Sequence, residues 1–301
     1  MRIAITGGTG FVGTRLTRQL VSEGNEVYVL TRNPDKHYNT DKVTYVGWLK
    51  EEFKPSLQLP ALDAIVNLAG ENLNSGRWTS EKKAQILNSR VEATESVLDL
   101  IKEMEHTPDV LVNASAVGYY GTSRTESFTE KTTTPGDDFL AEVVRKWEST
   151  AEKATEYGVR TVYLRFGVIL GEEGALPKMV IPYKMMAGGP VGNGEQWMSW
   201  IHVEDIIGLI DFSLKNKEAS GPLNATAPNP KRNKDLGKTI AKVLDKPHWL
   251  PAPSPALKIV LGEMSMLLLQ GQYVYPQKPL DLGYRFHYPE LEPALRNILL
   301  K

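Results

Sequence analysis

A glycine-rich turn near the start of the chain constrains its fold more than any other feature. Residues 6–13 read TGGTGFVG, so that Gly7, Gly10 and Gly13 are spaced three apart directly behind a short apolar run. Apolar residues recur at helical spacing after the turn, and a second apolar run of strand character, residues 26–30, follows. Strand, glycine turn, helix and strand predict a βαβ unit, and the glycine spacing suits a dinucleotide.

Each glycine has a separate physical role in this prediction. Gly7 permits a tight turn off the strand, and Gly10 lacks a Cβ, which lets the backbone approach a pyrophosphate. Gly13 lets the helix lie close to the sheet. The helix that begins with Phe11 and Val12 directs its free N–H groups and the positive end of its dipole at the phosphates. The turn and the first helical residues are therefore the candidate pyrophosphate site.

The end of the second strand distinguishes the two nicotinamide dinucleotides. An acidic residue there, about twenty residues after the glycines, binds the ribose 2′-hydroxyl of NAD, whereas an arginine pairs with the 2′-phosphate of NADP. This chain has Thr31 and Arg32 at that point and no carboxylate before Asp35. The sequence predicts NADP as the cofactor, and a purely surface role for Arg32 is the alternative.

A third apolar run ends in small residues that allow a ligand to lie flat against the backbone. It closes with the sequence NLAG at residues 67–70, and ligands of such sheets bind at the carboxyl ends of the strands. A long helix is predicted over residues 80–104. Its Arg90 is assigned either to the cofactor phosphates or to a salt bridge with a neighbouring side chain. The candidate cofactor contacts in the NLAG run are Leu68, Ala69 and Gly70.

The composition excludes several other classes of protein. There are 35 Lys and Arg against 36 Asp and Glu, so no basic surplus is present to neutralise nucleic-acid phosphates. The chain has no cysteine, which excludes disulfides and thiolate metal sites and fits a reducing compartment. No signal-peptide pattern occurs and no stretch approaches the ~20 apolar residues of a membrane span. We expect a cytoplasmic protein with a small-molecule substrate, without a metal, nucleic-acid or membrane partner, and leave a homodimer open.

The remaining motifs follow one another in the order typical of a known family. They are SAVGYYG at residues 115–121, Val168 and Ile169 within RFGVILG, WIHVED at residues 200–205, and the tail from residue 250. Together with GxxGxxG and NLAG they cover essentially the entire chain. The sequence resembles the epimerase family proteins of the extended and atypical short-chain dehydrogenase/reductase superfamily. The tail resembles the C-terminal domain of unknown function found in that branch.

This resemblance implies an α/β fold of the Rossmann type, with a doubly wound parallel sheet and a smaller C-terminal substrate lobe. Residues 1–168 would form the NADP-binding domain, to which residues 200–228 would return. Residues 169–301 would form the substrate lobe and the family-specific C-terminal region. The resemblance also places the NLAG backbone against the adenosine side of the cofactor and the backbone of Val168 and Ile169 towards the nicotinamide.

The chain departs from the superfamily at the catalytic pair. Members use a tyrosine and a lysine one helical turn apart, because the lysine lowers the tyrosine pKa so that the phenol can exchange a proton. Phe139 and Val143 occupy these positions on a helix predicted over residues 138–157, with both side chains expected to point to the nicotinamide end of the cleft. The candidate catalytic hydroxyls are instead Ser115, Tyr119 and Tyr120.

Two functions follow from these observations and stay open. The first is an NADP(H)-dependent oxidoreductase of the epimerase or reductase type that acts on an unknown small molecule without the usual Tyr-x-x-x-Lys pair. The second is a non-catalytic NADP(H)-binding protein that reports the redox state to a partner.

Overall fold

The structure, a computed structural model, describes residues 1–300 and is organised around one parallel β-sheet. The strands are β1 (Arg2–Thr6), β2 (Glu26–Thr31), β3 (Val43–Gly47), β4 (Ala64–Asn67), β5 (Val110–Ala116), β6 (Ser127–Phe128), β7 (Arg160–Phe166), β8 (Val168–Leu170), β9 (Trp197–Met198), β10 (Trp200–His202), β11 (Gly221–Ala225), β12 (Lys231–Arg232) and β13 (Tyr273–Val274). The helices are α1 (Phe11–Ser22), α2 (Ser80–Glu103), α3 (Phe139–Glu152), α4 (Leu176–Lys184), α5 (Val203–Lys215), α6 (Asn233–Leu244), α7 (Ser254–Leu261), α8 (Met266–Leu269), α9 (Gln277–Asp281) and α10 (Leu291–Leu299).

The main sheet has seven strands in the order β11-β7-β5-β4-β1-β2-β3, and every neighbouring pair is parallel. Side chains alternate between its faces, so that Ile3 and Ile5 pack with Leu16 of α1 while Ala4 between them packs with Val97 of α2. Helices thus cover both faces of the sheet. The predicted Rossmann-type, doubly wound α/β fold is confirmed, and all strand carboxyl ends meet at one edge.

The helices predicted around this edge form where the sequence pattern indicates. Helix α1 begins after Gly10, α2 begins after the N-cap Thr79, and α3 begins after Asp138. The side chain of Thr79 accepts from the backbone N–H of Lys82, and that of Asp138 accepts from the N–H of Ala141. Helix α3 ends at Glu152, before the predicted end at residue 157, and residues Lys153–Tyr157 continue the segment as a 3₁₀ helix.

Two strands of the main sheet differ from the sequence analysis. It missed β3, a short edge strand that pairs only with β2 in the sheet and whose first three residues are half-buried, so its apolar pattern is weak. It also extended the third apolar run to Gly70, whereas β4 ends at Asn67. Beyond Asn67, the N–H of Leu68 bonds to both the carbonyl and the side-chain oxygen of Thr6, and the N–H of Ala69 bonds to the same side-chain oxygen.

A second apolar core lies outside the main sheet. Helices α4, α6 and α10 pack around Trp200, with Leu176, Ile240 and Leu295 all fully or almost fully buried. Strand β11 joins the main sheet by pairing with β7. The predicted division of the chain between residues 168 and 169 stays a prediction. No helix within residues 1–300 is both long and apolar enough to cross a bilayer.

Candidate cofactor and substrate cleft

The glycine turn between β1 and α1 has the geometry that a pyrophosphate requires. Gly7 has a φ of 66°, and a Cβ added to it would lie 2.7 Å from the carbonyl oxygen of Leu68, so glycine alone fits. A Cβ on Gly13 would collide with the Gly7 carbonyl, which shows that the helix presses directly on the turn. By contrast, a Cβ on Gly10 would meet only the Gly7 oxygen, at 3.3 Å, because Gly10 faces open space.

The start of α1 leaves donors available beside this open space. Its first intrahelical hydrogen bond runs from the N–H of Thr14 to the carbonyl of Gly10, so the N–H groups of residues 11–13 have no acceptor within the helix. No side chain caps the helix. The ring of Phe11 turns away from the turn and packs against Gly171, behind β8. Backbone N–H groups and the helix dipole together suit an anionic group.

A buried polar network shapes the NLAG run, and the sequence analysis did not identify it. The Thr6 hydroxyl donates to Asn67 Oδ1 at 2.6 Å and accepts from the N–H groups of Leu68 and Ala69 at 3.2 Å each. Asn67 Nδ2 donates onward to Thr94 and Asn113. These bonds hold the backbone of residues 68–70 at the carboxyl edge, directly beside the glycine turn. A polar residue at the end of each of two adjacent strands was the available signal.

Arg32 lies at the exposed end of β2, immediately after Thr31, whose side chain accepts from the N–H of Asn33. Its charge acts on the carboxylate of Glu71, which Lys82 contacts at 2.6 Å. The hydrogen bond from Lys82 lowers the pKa of Glu71, and the charge of Arg32 lowers it further. Two cationic side chains therefore surround one carboxylate at this end of the cleft, which leaves positive charge for a phosphate.

Arg90 lies against the NLAG run rather than in a salt bridge. Its guanidinium is 3.2 Å from the position of a Cβ on Gly70, stacks over the ring of Trp147 and donates to the carbonyl of Ile86 at 2.8 Å. Burial lowers its pKa to about 10, so the side chain is charged at neutral pH. A partly desolvated guanidinium with unused donors is a favourable partner for an anion.

A buried ion pair that the sequence analysis missed attaches α3 to the carboxyl end of β7. Arg165 Nε and Nη2 donate to the two carboxylate oxygens of Glu148 at 2.8 and 2.7 Å. Ser115 donates to the same carboxylate at 2.5 Å and is 2% exposed. Burial alone would lower the pKa of Arg165, but its bonds to Glu148 outweigh this and raise it. The Ser115 hydroxyl is therefore held within the sheet–α3 interface.

The two neighbouring tyrosines have different environments. Tyr120 is 4% exposed, accepts from Arg165 Nη1 at 2.9 Å and donates to Asn224 at 2.8 Å, and burial raises its pKa to about 12. Tyr119 is only half-buried, and its hydroxyl donates to the carbonyl of Thr133 at 2.6 Å. The guanidinium of Arg165 lies 3.5 Å from the centre of the Tyr119 ring. The ion pair thus holds Ser115, Tyr119 and Tyr120 together at the edge of the sheet.

Phe139 and Val143 lie one turn apart on α3 and belong to an apolar cluster. Val143 is buried with Trp78 and Ile86, and Phe139 meets Trp78 edge-to-face at 5.5 Å. Whether either side chain faces a nicotinamide stays a prediction. Neither side chain can take part in proton transfer.

The strand β8 carries Val168 and Ile169, both half-buried, and pairs in parallel with β10. The N–H of Val168 donates to the carbonyl of Ser199 at 2.8 Å. His202 at the end of β10 caps α5, because its Nδ1 accepts from the N–H of Glu204. Among residues 1–300, no three His, Asp or Glu side chains are grouped as metal ligands.

Comparison with known proteins places these features in a family. The sequence profile of the NAD dependent epimerase/dehydratase family matches residues 3–225, and a domain of unknown function, DUF1731, matches residues 252–298. The epimerase family protein YfhF of Bacillus subtilis (strain 168) is 48% identical over 299 residues, which is 99% of this chain and 98% of that protein.

Two solved structures extend the comparison. Human epimerase family protein SDR39U1 (isoform 2), crystallised with NADPH, is 33% identical with a TM-score of 0.87, and the alignment covers 100% of both chains. A nucleoside-diphosphate sugar epimerase from Corynebacterium glutamicum is 32% identical with a TM-score of 0.78, covering 99% of this chain and 58% of that one.

Proposed function

The chain belongs to the NAD dependent epimerase/dehydratase family, and from this premise we propose that it is an NADP(H)-dependent oxidoreductase of the epimerase or reductase type with a small-molecule substrate. The observation that carries the proposal is the open glycine turn at Gly10, which lies beside the free N–H groups of α1. Arg32 favours NADP over NAD, because a phosphate–arginine contact is a strong charge-assisted interaction. The NADPH in the human relative's crystals supports the same choice.

The cofactor contacts follow the cleft from one end to the other. Gly7, Gly10 and Gly13 would border the pyrophosphate with Phe11 and Val12 at the helix start. Thr31, Arg32 and Arg90 would face the adenosine phosphates, and the backbone of Leu68, Ala69 and Gly70 the adenosine. Val168 and Ile169 would border the nicotinamide.

When bound, NADPH would supply a hydride to a carbonyl carbon of the substrate, and the carbonyl oxygen would take up one proton from the protein. We assign that proton to the hydroxyl of Tyr119, because it is the least buried of the three candidate hydroxyls. Ser115 and Tyr120 are positioning residues in this scheme. Their hydroxyls bind Glu148 and Arg165, and Arg165 in turn supports the Tyr119 ring.

A second candidate function is a non-catalytic NADP(H)-binding protein that responds to redox state. This function is favoured because two of the three candidate catalytic hydroxyls are already hydrogen-bonded to other side chains of the protein. Ser115 donates to Glu148, and Tyr120 both accepts from Arg165 and donates to Asn224. Phe139 and Val143 supply no replacement proton donor.

Tyr119→Phe separates the two functions. With NADPH and a panel of aldehydes and ketones, the unmodified protein should oxidise NADPH, and Tyr119→Phe should lower kcat about a hundredfold or more. NADPH affinity, measured by calorimetry, should be the same in both proteins. Tyr157→Phe, at a partly exposed tyrosine on the far end of the α3 segment, is the matched control. Full turnover in Tyr119→Phe refutes its assignment, and NADPH binding without any oxidation favours the redox-responsive function.

A further inference from the structure

Residues 262–272 form a segment, which we call the strap, that crosses the carboxyl edge of the main sheet. At its first end, Glu263 forms an ion pair with Lys83 at the start of α2. Just before the strap, Arg77 donates to the carbonyls of Ile259 and Val260 at 2.6 and 2.9 Å. Because Arg77 belongs to the connection between β4 and α2, this end is attached beside the carboxyl end of β4.

The other end of the strap is attached beyond β5. Gln272 Nε2 donates to the carbonyl of Val117, the first residue after β5, at 2.8 Å. Gln196 Nε2 donates to the carbonyl of Leu268 at 2.6 Å. The strap is therefore attached at the start of α2 and at the residue that follows β5, both on the carboxyl side of the sheet, where ligands of parallel sheets bind.

The underside of the strap is apolar. Met264, Met266 and Leu267 of the strap pack against the buried apolar cluster of Trp78, Ile86 and Val143. Phe139 and Leu140 of α3 pack against the same cluster. Methionine side chains are flexible and adapt their packing to irregular apolar shapes.

The strap is seated shallowly. Ser265 is its one fully buried member, while Met264, Met266 and Leu267 are half-buried. Helix α7, which leads into the strap, has no buried residue, and its Ile259 and Val260 are 75% and 62% exposed. A segment with so little buried side-chain surface opens more readily than the sheet beneath it.

Resting on the proposed function, we propose that the strap is the outer wall of the substrate site and selects a substrate with an apolar body over a sugar nucleotide. An aromatic or alicyclic ring that enters beneath the strap replaces the contacts that Met266 and Phe139 make with the apolar cluster around Trp78. A sugar in the same place would bury hydroxyl groups against side chains without hydrogen-bonding atoms, and would lose their bonds to water without replacement.

Calorimetric titration of the full chain tests this inference in two stages. NADP⁺ is titrated first, and the loaded protein is then titrated with α-tetralone, an aromatic–alicyclic ketone, or with UDP-glucose. We expect α-tetralone to bind at least about tenfold more tightly than UDP-glucose.

Variants of Met266 test whether the strap itself makes the contact. Met266→Gln should weaken α-tetralone binding at least about fivefold, because it places an amide against the ring, whereas Met266→Leu should retain the affinity. The matched control is Met185→Gln, at a methionine that is 72% exposed just beyond α4 and outside the cluster. NADP⁺ affinity and the circular dichroism spectrum should be the same for all four proteins.

Each alternative outcome overturns a defined part of the argument. UDP-glucose binding as tightly as α-tetralone, or no α-tetralone binding by the loaded protein, overturns the apolar-substrate inference alone. Equal losses of α-tetralone affinity in Met266→Gln and Met185→Gln overturn the role of the strap in substrate binding. A loss of affinity in Met266→Leu as well has the same consequence. Failure of NADP⁺ to bind in the first stage overturns the proposed function and this inference with it.

Discussion

Arg32 is the side chain to which we assign the preference for NADP(H) over NAD(H). It is exposed and lies near Glu71, which Lys82 already neutralises. We expect NADPH to bind at least about tenfold more tightly than NADH. Arg32→Glu should erase or reverse this preference in calorimetric titrations, because the carboxylate repels a 2′-phosphate and accepts a hydrogen bond from a 2′-hydroxyl.

The control for Arg32 is Arg18→Glu, which makes the same charge change at an exposed position farther along α1. Its preference for NADPH should match that of the unmodified protein. Equal affinities for NADPH and NADH before any substitution would refute the assignment of Arg32.

Gly10 tests the position of the pyrophosphate with minimal effect on the fold. Its φ of −84° is open to any residue, and an added Cβ would meet one atom at 3.3 Å. Gly10→Val should therefore fold normally while its methyl groups occupy the space of the phosphate oxygens. We expect NADPH binding to disappear in calorimetry with an unchanged thermal unfolding midpoint. A folded variant that binds NADPH normally would show that the cofactor site lies elsewhere.

At the scale of elements, the Glu148–Arg165 pair attaches α3 to β7, binds the hydroxyls of Ser115 and Tyr120, and contacts the ring of Tyr119. Both side chains are buried, so removal of one partner leaves an uncompensated charge. Glu148→Gln and Arg165→Met should each lower the free energy of unfolding by about 3–5 kcal/mol. The double variant should lose clearly less free energy of unfolding than the two single variants lose together, because it buries no unpaired charge.

Urea denaturation of the four proteins in this cycle supplies the measurement. The exposed pair formed by Lys146 and Glu142 on the same helix is the internal comparison, since its coupling energy should be about 0.5 kcal/mol or less. Additive losses from Glu148 and Arg165 would mean that the pair does not act as a unit.

At the scale of the whole molecule, Glu130 connects three distant parts of the chain. Its carboxylate accepts from the N–H of Asn224 in the edge strand β11 and from the N–H of Lys278 in the C-terminal region. Burial raises its pKa, despite these hydrogen bonds. The stabilising contribution of a carboxyl with a raised pKa is present below its unfolded pKa of about 4.3 and is lost as pH rises through the folded value.

Glu130→Gln removes this titration and keeps an acceptor for the N–H of Asn224. The stability of the unmodified protein relative to Glu130→Gln should therefore fall as the pH rises above about 4.3, the unfolded pKa of a glutamate. Denaturation of both proteins at a series of pH values measures the difference. A difference that stays constant or increases with pH would contradict the raised pKa.

The βαβ unit, the parallel sheet and the residues of the glycine turn could all be predicted from the sequence. These features depend on neighbours in the chain: apolar periodicity indicates strands and helices, and glycine is required where Gly7 adopts a positive φ against Leu68. The resemblance to the epimerase family proteins could also be recognised from the sequence, because the motifs that carry it are short and local. The position of Arg32 could be predicted for the same reason, because it directly follows the second strand in the sequence.

Which side chains meet at the carboxyl edge could be learned only from the three-dimensional packing. Glu148 had no visible role in the sequence until it met Ser115 and Arg165, which belong to two different strands. The apolar setting of Phe139 depends on Trp78 from one connection and on the strap, more than a hundred residues away along the chain. Such contacts join residues that are remote in sequence, and no local periodicity encodes them, so packing alone determined the hydroxyl network and the covered end of the cleft.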